Sequence, residues 1–360
     1  MVQPSTATLV LSINRIDMKR MKYIFTSAFC LLLSTTSFSQ QEAQYANIIN
    51  NPYIVNPAAG GLSDIMQFEL TTRSQWIGYN GGPRSLLLTG FSPIKVNSKA
   101  KSVISPFNED GKVLFQGPAN TTGEIKHILG GKATYDGIGP FAKTSIHGSY
   151  AVHLPFTKKV NIGAGLGLGW SNFGINQERV ILYQADDAAY SQFLGVSSSQ
   201  NIIDANVGIT FYGEKFFGGI STTQFLKNKA KFEQVVLESN YNRHYFIVGK
   251  YTFDISEKFQ IEPNLVAKFA ENSPASLDAG ARFIFDKSVW FGSQYRTSNA
   301  LVFQIGANLI NNLYISYAFE QGIGPIRMSS NGTHEIQLGF YLGKNRNTEK
   351  EINDSKEGKK

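Results

Sequence analysis

Residues 160–170 read Val-Asn-Ile-Gly-Ala-Gly-Leu-Gly-Leu-Gly-Trp, and few folds accept such a stretch. From Ile162 the alternation is strict. Ile162, Ala164, Leu166, Leu168 and Trp170 fall on one side, and Gly163, Gly165, Gly167 and Gly169 on the other. A period of two is the signature of a strand, whose successive side chains point to opposite faces. A helix would carry four interior glycines, each costing about 0.8–1 kcal/mol relative to alanine. At about 3.3 Å per residue, a tilted strand of this length crosses the hydrocarbon of a bilayer. One face is wholly apolar and ends in Trp170, the residue type that favours the membrane interface. The other face is blank. The stretch reads as one stave of a barrel, and similar staves should recur along the chain.

Composition agrees. The chain of 360 residues holds 34 Gly, 16 Tyr and 26 Phe, with only 17% charged residues. Mean hydropathy is -0.16, as expected where lipid-facing and lumen-facing residues average out. The net charge is +7, but lysines and arginines are scattered singly and no basic run is interleaved with aromatics. Nucleic acid is therefore not an expected partner. Residues 1–39 read as a removable export signal with an upstream extension. Met18-Lys19-Arg20-Met21-Lys22 is a basic stretch, Tyr23 to Leu33 an apolar one, and Ser37-Phe38-Ser39 supplies small residues before a cleavage point. The single cysteine, Cys30, lies within that signal, so disulfides are not expected in the mature chain.

Taken in order, residues 40–63 form a lead-in with two Asn-Pro steps that break helix and strand alike. It is expected to be a periplasmic or plug-like segment. A barrel is expected over 64–343, and a charged, disordered tail over 344–360. Staves are predicted at 66–76, 84–91, 126–135, 141–153, 160–170, 203–211, 216–225, 245–253, 261–269, 277–285, 289–296, 301–309, 313–320 and 336–342. Asp286-Lys287 and Asn311-Asn312 are expected to be tight turns. Residues 95–124 interrupt the rhythm as a long loop, and within it Val113-Leu114-Phe115-Gln116-Gly117-Pro118 resembles a picornaviral protease site. Both a natural loop and an inserted sequence accommodate that match. A soluble sandwich would alternate in the same way, but inward rows carrying both signs of charge are costly in a dry core and ordinary in a lumen. The fold class is all-β: a transmembrane antiparallel up-and-down β-barrel of about 14 strands, bathed by outer-membrane lipid.

Chemistry is sparse. His127, His147, His153, His244 and His334 show no zinc-site spacing. The glycine strand lacks G-x-G-x-x-G and is followed by no helix pattern, which removes dinucleotide binding. Asp186-Asp187 is a lone acidic pair. No cofactor, no metal and no enzyme activity are expected.

Three stretches together resemble the PorP/SprF family of type IX secretion membrane proteins. They are Asn51-Pro52 with Asn56-Pro57-Ala58-Ala59-Gly60, then Arg73-Ser74-Gln75-Trp76 with Gly78 and Gly82-Pro83, and finally Ser330-Asn331-Gly332-Thr333-His334-Glu335-Ile336. The 95–124 loop departs from the expected shorter connection. The resemblance implies a non-enzymatic barrel of the cell outer membrane, tied to type IX secretion and gliding motility. Such a barrel would help export or anchor large adhesins by binding their C-terminal domain, alongside periplasmic secretion or motor subunits. Residues 41–61 are then expected to dock at the periplasmic mouth. Asn56, Pro57, Arg73, Gln75, Trp76, His334 and Glu335 serve either partner binding or closure between first and last strands. The alternative function is a diffusion channel of the fatty-acid-transporter kind. The glycine row leaves room, either for bulky neighbours such as Arg282 or Arg296 or for an inserted segment.

Overall fold

The computed structural model describes residues 44–62, 65–94, 125–157, 159–180, 199–226, 229–231, 238–240, 242–271, 273–310 and 312–342. The expected signal, the 95–124 loop, Asp186-Asp187 and the 344–360 tail lie outside these.

Fourteen long strands follow one another in the described chain: β1 (Met66–Ser74), β2 (Arg84–Ile94), β3 (Lys126–Ile138), β4 (Phe141–Pro155), β5 (Val160–Ile175), β6 (Ser199–Gly213), β7 (Phe216–Thr223), β8 (His244–Tyr251), β9 (Phe259–Ala270), β10 (Ser273–Phe285), β11 (Val289–Arg296), β12 (Ala300–Ile310), β13 (Leu313–Gly322) and β14 (Thr333–Leu342). Each is hydrogen-bonded to its sequence neighbours, and β14 returns to β1, so the sheet closes on itself. The closing pair runs antiparallel from Met66 opposite Leu342 to Ser74 opposite His334. The architecture is a closed up-and-down barrel, and closure removes every exposed strand edge. A two-residue piece, Phe253–Asp254, pairs with β9, and a small hairpin pairs Lys229–Lys231 with Glu238–Asn240.

Alternation decides which side chains meet lipid. On β5, Ala164, Leu166, Leu168 and Trp170 are exposed, whereas Gly163, Gly165 and Gly167 are buried. The same outward apolar row continues around the barrel through Phe68 and Leu70, Leu86 and Leu88, Ile209 and Phe211, Phe283 and Phe285, and Phe303 and Ile305. Such a belt is unstable in water and stable in a bilayer. Most strands extend two to four residues beyond the periodic core read from sequence. The first is shorter: it ends at Ser74, because Trp76 takes a positive φ of 54° and leaves the extended region. Asp286 and Lys287 both have positive φ, the two-residue turn whose twist matches a hairpin.

The barrel end that carries the start of β1 and the finish of β14 holds the turns 214–215 and 286–288, the connection 252–258 and the long connection from β2 to β3. The opposite end carries the connections 75–83, 176–198, 224–243 and 323–332. Short turns occur there too, at 139–140 and 297–299; the end that holds both the start of β1 and the finish of β14 is termed periplasmic.

Residues 44–62, hereafter the plug, lie within the lumen. Tyr45, Ile48, Ile49, Tyr53, Ile54, Val55, Ala58 and Ala59 are all buried, packed with Leu87, Phe91, Tyr212, Phe217, Phe246, Val248 and Val266 of the wall. The plug begins beside Glu335, in the extracellular half, and leads down to β1.

Candidate functional site

The plug has no helix or strand long enough to satisfy its own backbone. It consists of three 3₁₀ turns, Asn47–Ile49, Pro52–Ile54 and Pro57–Ala59. The last two are built alike. Asn51 and Asn56 each stand before a proline at the first position of the turn, where a missing N–H costs nothing. Each asparagine Oδ1 accepts from the backbone N–H two residues on, Tyr53 at 3.1 Å and Ala58 at 2.9 Å. That leaves Nδ2 free to donate to the wall. Asn51 Nδ2 donates to the Glu69 carboxylate and to Thr89 Oγ1 at 3.0 Å. Asn56 Nδ2 donates to the carbonyls of Ile209 at 3.1 Å and Ile220 at 3.4 Å. Capping and anchoring together require an acceptor and a donor on one short side chain. Aspartate and serine cap equally well but cannot do both at this reach.

The wall also holds the plug by its main chain. Gln304 Nε2, Lys250 Nζ and Lys132 Nζ donate to the carbonyls of Ala46, Ile49 and Ile54 at 2.6, 3.2 and 2.9 Å. His153 Nε2 and Thr210 Oγ1 both donate to Ala58 O, at 2.9 and 3.2 Å. The second nitrogen of His153 lies 2.7 Å from the Tyr212 hydroxyl, which fixes the ring. Tyr53 reaches Ser149 Oγ at 2.6 Å and stacks at a tilt on Phe91.

The glycine row explains how the plug comes so close to β5. A Cβ on Gly165 would stand 2.5 Å from Ala58 N and 2.7 Å from Pro57 C, so the plug backbone rests directly on that strand. The space at Gly163 is filled by His153 and Thr210, and that at Gly169 by the His147 ring. Only Gly167 has ordinary clearance, its nearest neighbours standing at 3.7 Å. Gly208 and Gly219 on β6 and β7 make the same allowance for the Asn56 amide. Arg282 and Arg296, weighed from sequence as fillers of this row, do not fill it. Both are held by carboxylates of β9, β10 and β13.

Those carboxylates belong to a chain of buried charges along the wall from β9 to β14. Lys268 pairs with Asp278 at 2.7 Å; Asp278 receives Arg296 through two bonds of 3.0 Å; Arg296 reaches Glu320 at 2.6 Å. Glu320 pairs with Arg73 at 2.8 Å, and Arg73 with Glu335 at 3.1 Å. Glu335, fully buried, then accepts the backbone N–H groups of Ala46 and Asn47 at 2.8 and 2.9 Å and the Asn47 side-chain amide at 2.9 Å. A lower cluster joins Glu262 to Arg282, to Lys250 at 3.7 Å and to Thr252 Oγ1 at 3.2 Å, and Arg282 donates onward to Asn50. Charges this deep are tolerable because each has an opposite partner and further hydrogen bonds.

The residues singled out from sequence therefore part into two groups. Arg73 and Glu335 meet across the closing strands and face the lumen, and Asn56 and Pro57 sit in the plug on the far wall. His334 faces lipid and bonds the Tyr317 hydroxyl at 2.6 Å through Nδ1. Gln75 and Trp76 lie beyond the end of β1. The Gln75 N–H donates to Pro83 O at 2.8 Å and the Trp76 N–H to Thr333 Oγ1 at 3.3 Å, while the Trp76 ring stands edge-on to Tyr79. Period-two alternation alone separates His334 from Glu335. Sequence reading missed Glu69, His153, Glu262, Lys268, Asp278, Gln304 and Glu320 as plug and seam residues. The available signal was a charged or amide side chain on an inward row. Among the described residues no cluster of three or more side chains could hold a metal ion.

A family model described as type IX secretion system membrane protein PorP/SprF matches residues 37–340. No curated protein matches by sequence. Among solved structures, the outer membrane protein Omp33 of Acinetobacter baumannii is 11% identical, with TM-score 0.42 over 78% of this chain and 100% of that one. The Pseudomonas putida toluene transporter TodX is 10% identical, with TM-score 0.38 over 86% and 95%. A Pseudomonas aeruginosa FadL homologue is 8% identical, with TM-score 0.42 over 79% and 92%.

Proposed function

Because the chain belongs to the PorP/SprF family of type IX secretion system membrane proteins, we propose that it serves that system in the outer membrane by binding and not by chemistry. In this reading it helps export, or holds at the cell surface, a large adhesin-like protein whose C-terminal domain it engages, and its periplasmic end meets secretion or motor subunits. The observation that carries the reading is the filled lumen. Hydrogen bonds run from the plug to strands β1–β4, β6–β8, β10 and β12–β14, and the Gly165 row of β5 lies against it. A wall so fully engaged with its own chain suits a docking scaffold better than a constitutive channel.

The test is made in the native organism with the full chain. Affinity capture from outer membranes should bring down a surface adhesin through its C-terminal domain, or secretion-ring subunits, and deletion of the chain should remove that adhesin from the surface. Unchanged adhesin display after deletion overturns the reading.

A further inference from the structure

We propose that the barrel is a latent pore: residues 44–61 are a displaceable stopper, and withdrawing them opens a water-filled passage for small hydrated ions with weak charge selectivity.

Three observations converge on this. First, the wall completes its own charge balance. Arg73, Lys250, Lys268, Arg282 and Arg296 pair with Glu262, Asp278, Glu320 and Glu335, every pair joining wall to wall, and Glu69 has wall bonds to Gln67, Tyr314 and Gln337. The plug sequence Gln44 to Gly61 contains no Asp, Glu, Lys, Arg or His. Its removal therefore breaks none of these ion pairs; it exposes paired charges, together with Glu69 and Lys132, whose neutral plug partners water can replace. Second, closure of the sheet does not involve the plug. The closing pairs β14–β1 and β8–β9 are continuous backbone ladders, so the cylinder stands once the lumen is vacated. Third, the plug is held from outside itself. Its turns are single 3₁₀ turns, and its longest-range bonds are to wall side chains. Such a segment leaves by exchanging wall bonds for water bonds and by parting the apolar contacts of Ile48, Ile49, Ile54 and Val55 with the wall, with no secondary structure of its own beyond single turns to unfold. A barrel of fourteen strands lies between the side-chain-filled eight-stranded size and the open sixteen-stranded porins, so an emptied lumen has room for water. The aromatic layer of Tyr212, Phe217, Trp290, Tyr314 and Tyr341 inside the periplasmic half then sets the narrowest point. Opposite wall charges in near-equal numbers, with Lys132, Lys143, Asp136 and Asp204 among them, make that passage only weakly selective.

The experiment is planar-bilayer recording on purified, refolded barrels whose assembly is checked by heat-modifiable mobility. The intact chain should be silent. A chain lacking 44–61 should give stable single-channel steps in potassium chloride, with a reversal potential near zero under a tenfold salt gradient. Should the deletion fail to assemble, Gly165→Leu keeps every plug residue but drives the Ala58 backbone off the wall, and it should give intermittent steps, whereas Gly167→Ala stays silent. A folded deletion or a folded Gly165→Leu chain without steps overturns the proposal, as do steps of equal size from the intact chain. The readout needs no secreted partner, so it stands or falls apart from the adhesin reading.

Discussion

Alanine scanning of the four glycines on β5 offers the sharpest check on how the plug is seated, because all four lie on one face of one strand. At Gly165 the new Cβ would sit 2.5 Å from Ala58 N and 2.7 Å from Ala58 Cα. Carbon contacts settle at about 3.5–4.0 Å, so the plug must retreat by roughly 1 Å. Ala58 O already bonds His153 Nε2 at 2.9 Å and Thr210 Oγ1 at 3.2 Å, and a retreat of that size carries both beyond hydrogen-bonding range. Overpacking costs about 1–3 kcal/mol, and a buried acceptor deprived of its partners adds about 1–3 kcal/mol. Against this stands about 0.4–1 kcal/mol gained from the stiffer unfolded chain. Gly165→Ala should thus lose on the order of 2–4 kcal/mol. At Gly167 the nearest neighbours are at 3.7 Å, so only the unfolded-state gain remains and Gly167→Ala should be neutral or slightly stabilised, within about 1 kcal/mol. Gly169→Ala meets only the movable ring of His147 and should fall between them. Denaturant unfolding in micelles, followed by loss of the heat-modifiable band, gives the midpoints. Equal midpoints for Gly165→Ala and Gly167→Ala would refute a plug seated on this row.

Three further outcomes follow from the same geometry. Asn56→Asp keeps the cap on Ala58 but turns a carboxylate toward the carbonyls of Ile209 and Ile220; it should destabilise the fold more than Asn56→Ala, by several kcal/mol at the level of an unpaired buried charge, and a milder effect would show that the amide does not anchor the plug. Arg73→Ala leaves Glu320 and Glu335 without a shared partner and should cost about 3–5 kcal/mol, whereas His334→Ala, which loses one lipid-side bond to Tyr317, should cost about 1 kcal/mol or less; similar midpoints for the two would contradict the assignment of Arg73 to the lumen. At the periplasmic turns the Lys215 ammonium donates to Asp254 at 2.7 Å and holds its carboxyl below the usual carboxylate range. The contribution of that pair is present above the ordinary carboxylate range and disappears as pH falls through the lowered value. Lys215→Ala should return Asp254 toward ordinary titration in carboxyl NMR without moving the unfolding midpoint, since both groups are largely exposed.

The barrel was legible because a wall strand repeats one decision, lipid or lumen, every second residue. That is why fourteen staves could be numbered from hydrophobic alternation, and why Leu166 and Gly165 fell on the correct faces. Strand ends were less legible. Lumen and lipid rows both become polar near the rims, so alternation fades before the hydrogen-bond ladder does, as at 199–202 and 273–276. The plug was legible only as an exception. Its 3₁₀ turns carry no period, and its Asn-Pro steps announce broken structure without saying what the asparagine amides touch. The charged seam was hidden for a different reason. Lys268, Asp278 and Arg296 sit on successive strands, with Asp278 directly opposite Arg296, so their pairing depends on hairpin register that alternation does not fix. Arg73 reaches Glu320 and Glu335 only because the first and last strands close the barrel.

The two halves of the plug answer to two unlike halves of the wall, and each explains a choice of residue types in the other. From Ala46 to Asn51 the plug lies on the side of β12, β13, β14 and β1, where carboxylates and guanidinium groups need neutral donors and acceptors; it presents amides and bare backbone. A charged plug residue there would upset pairs that already balance, and an apolar residue at 47 would cost Glu335 the Asn47 amide while keeping its two backbone bonds. From Tyr53 to Gly60 it lies on β3 to β7, where the wall offers glycines and the plug offers proline, alanine and ring faces. Small residues on both sides allow backbone to approach backbone, so close packing is added in this half to the hydrogen bonds of Tyr53, Ile54, Asn56 and Ala58 with the wall. The division predicts different sensitivities for one segment. Raising ionic strength should weaken little on either side, since the pairs are dry. Substitutions that add volume should act mainly through the β5 side, whereas substitutions that remove donors should act on both sides, at Asn56 as at Asn47.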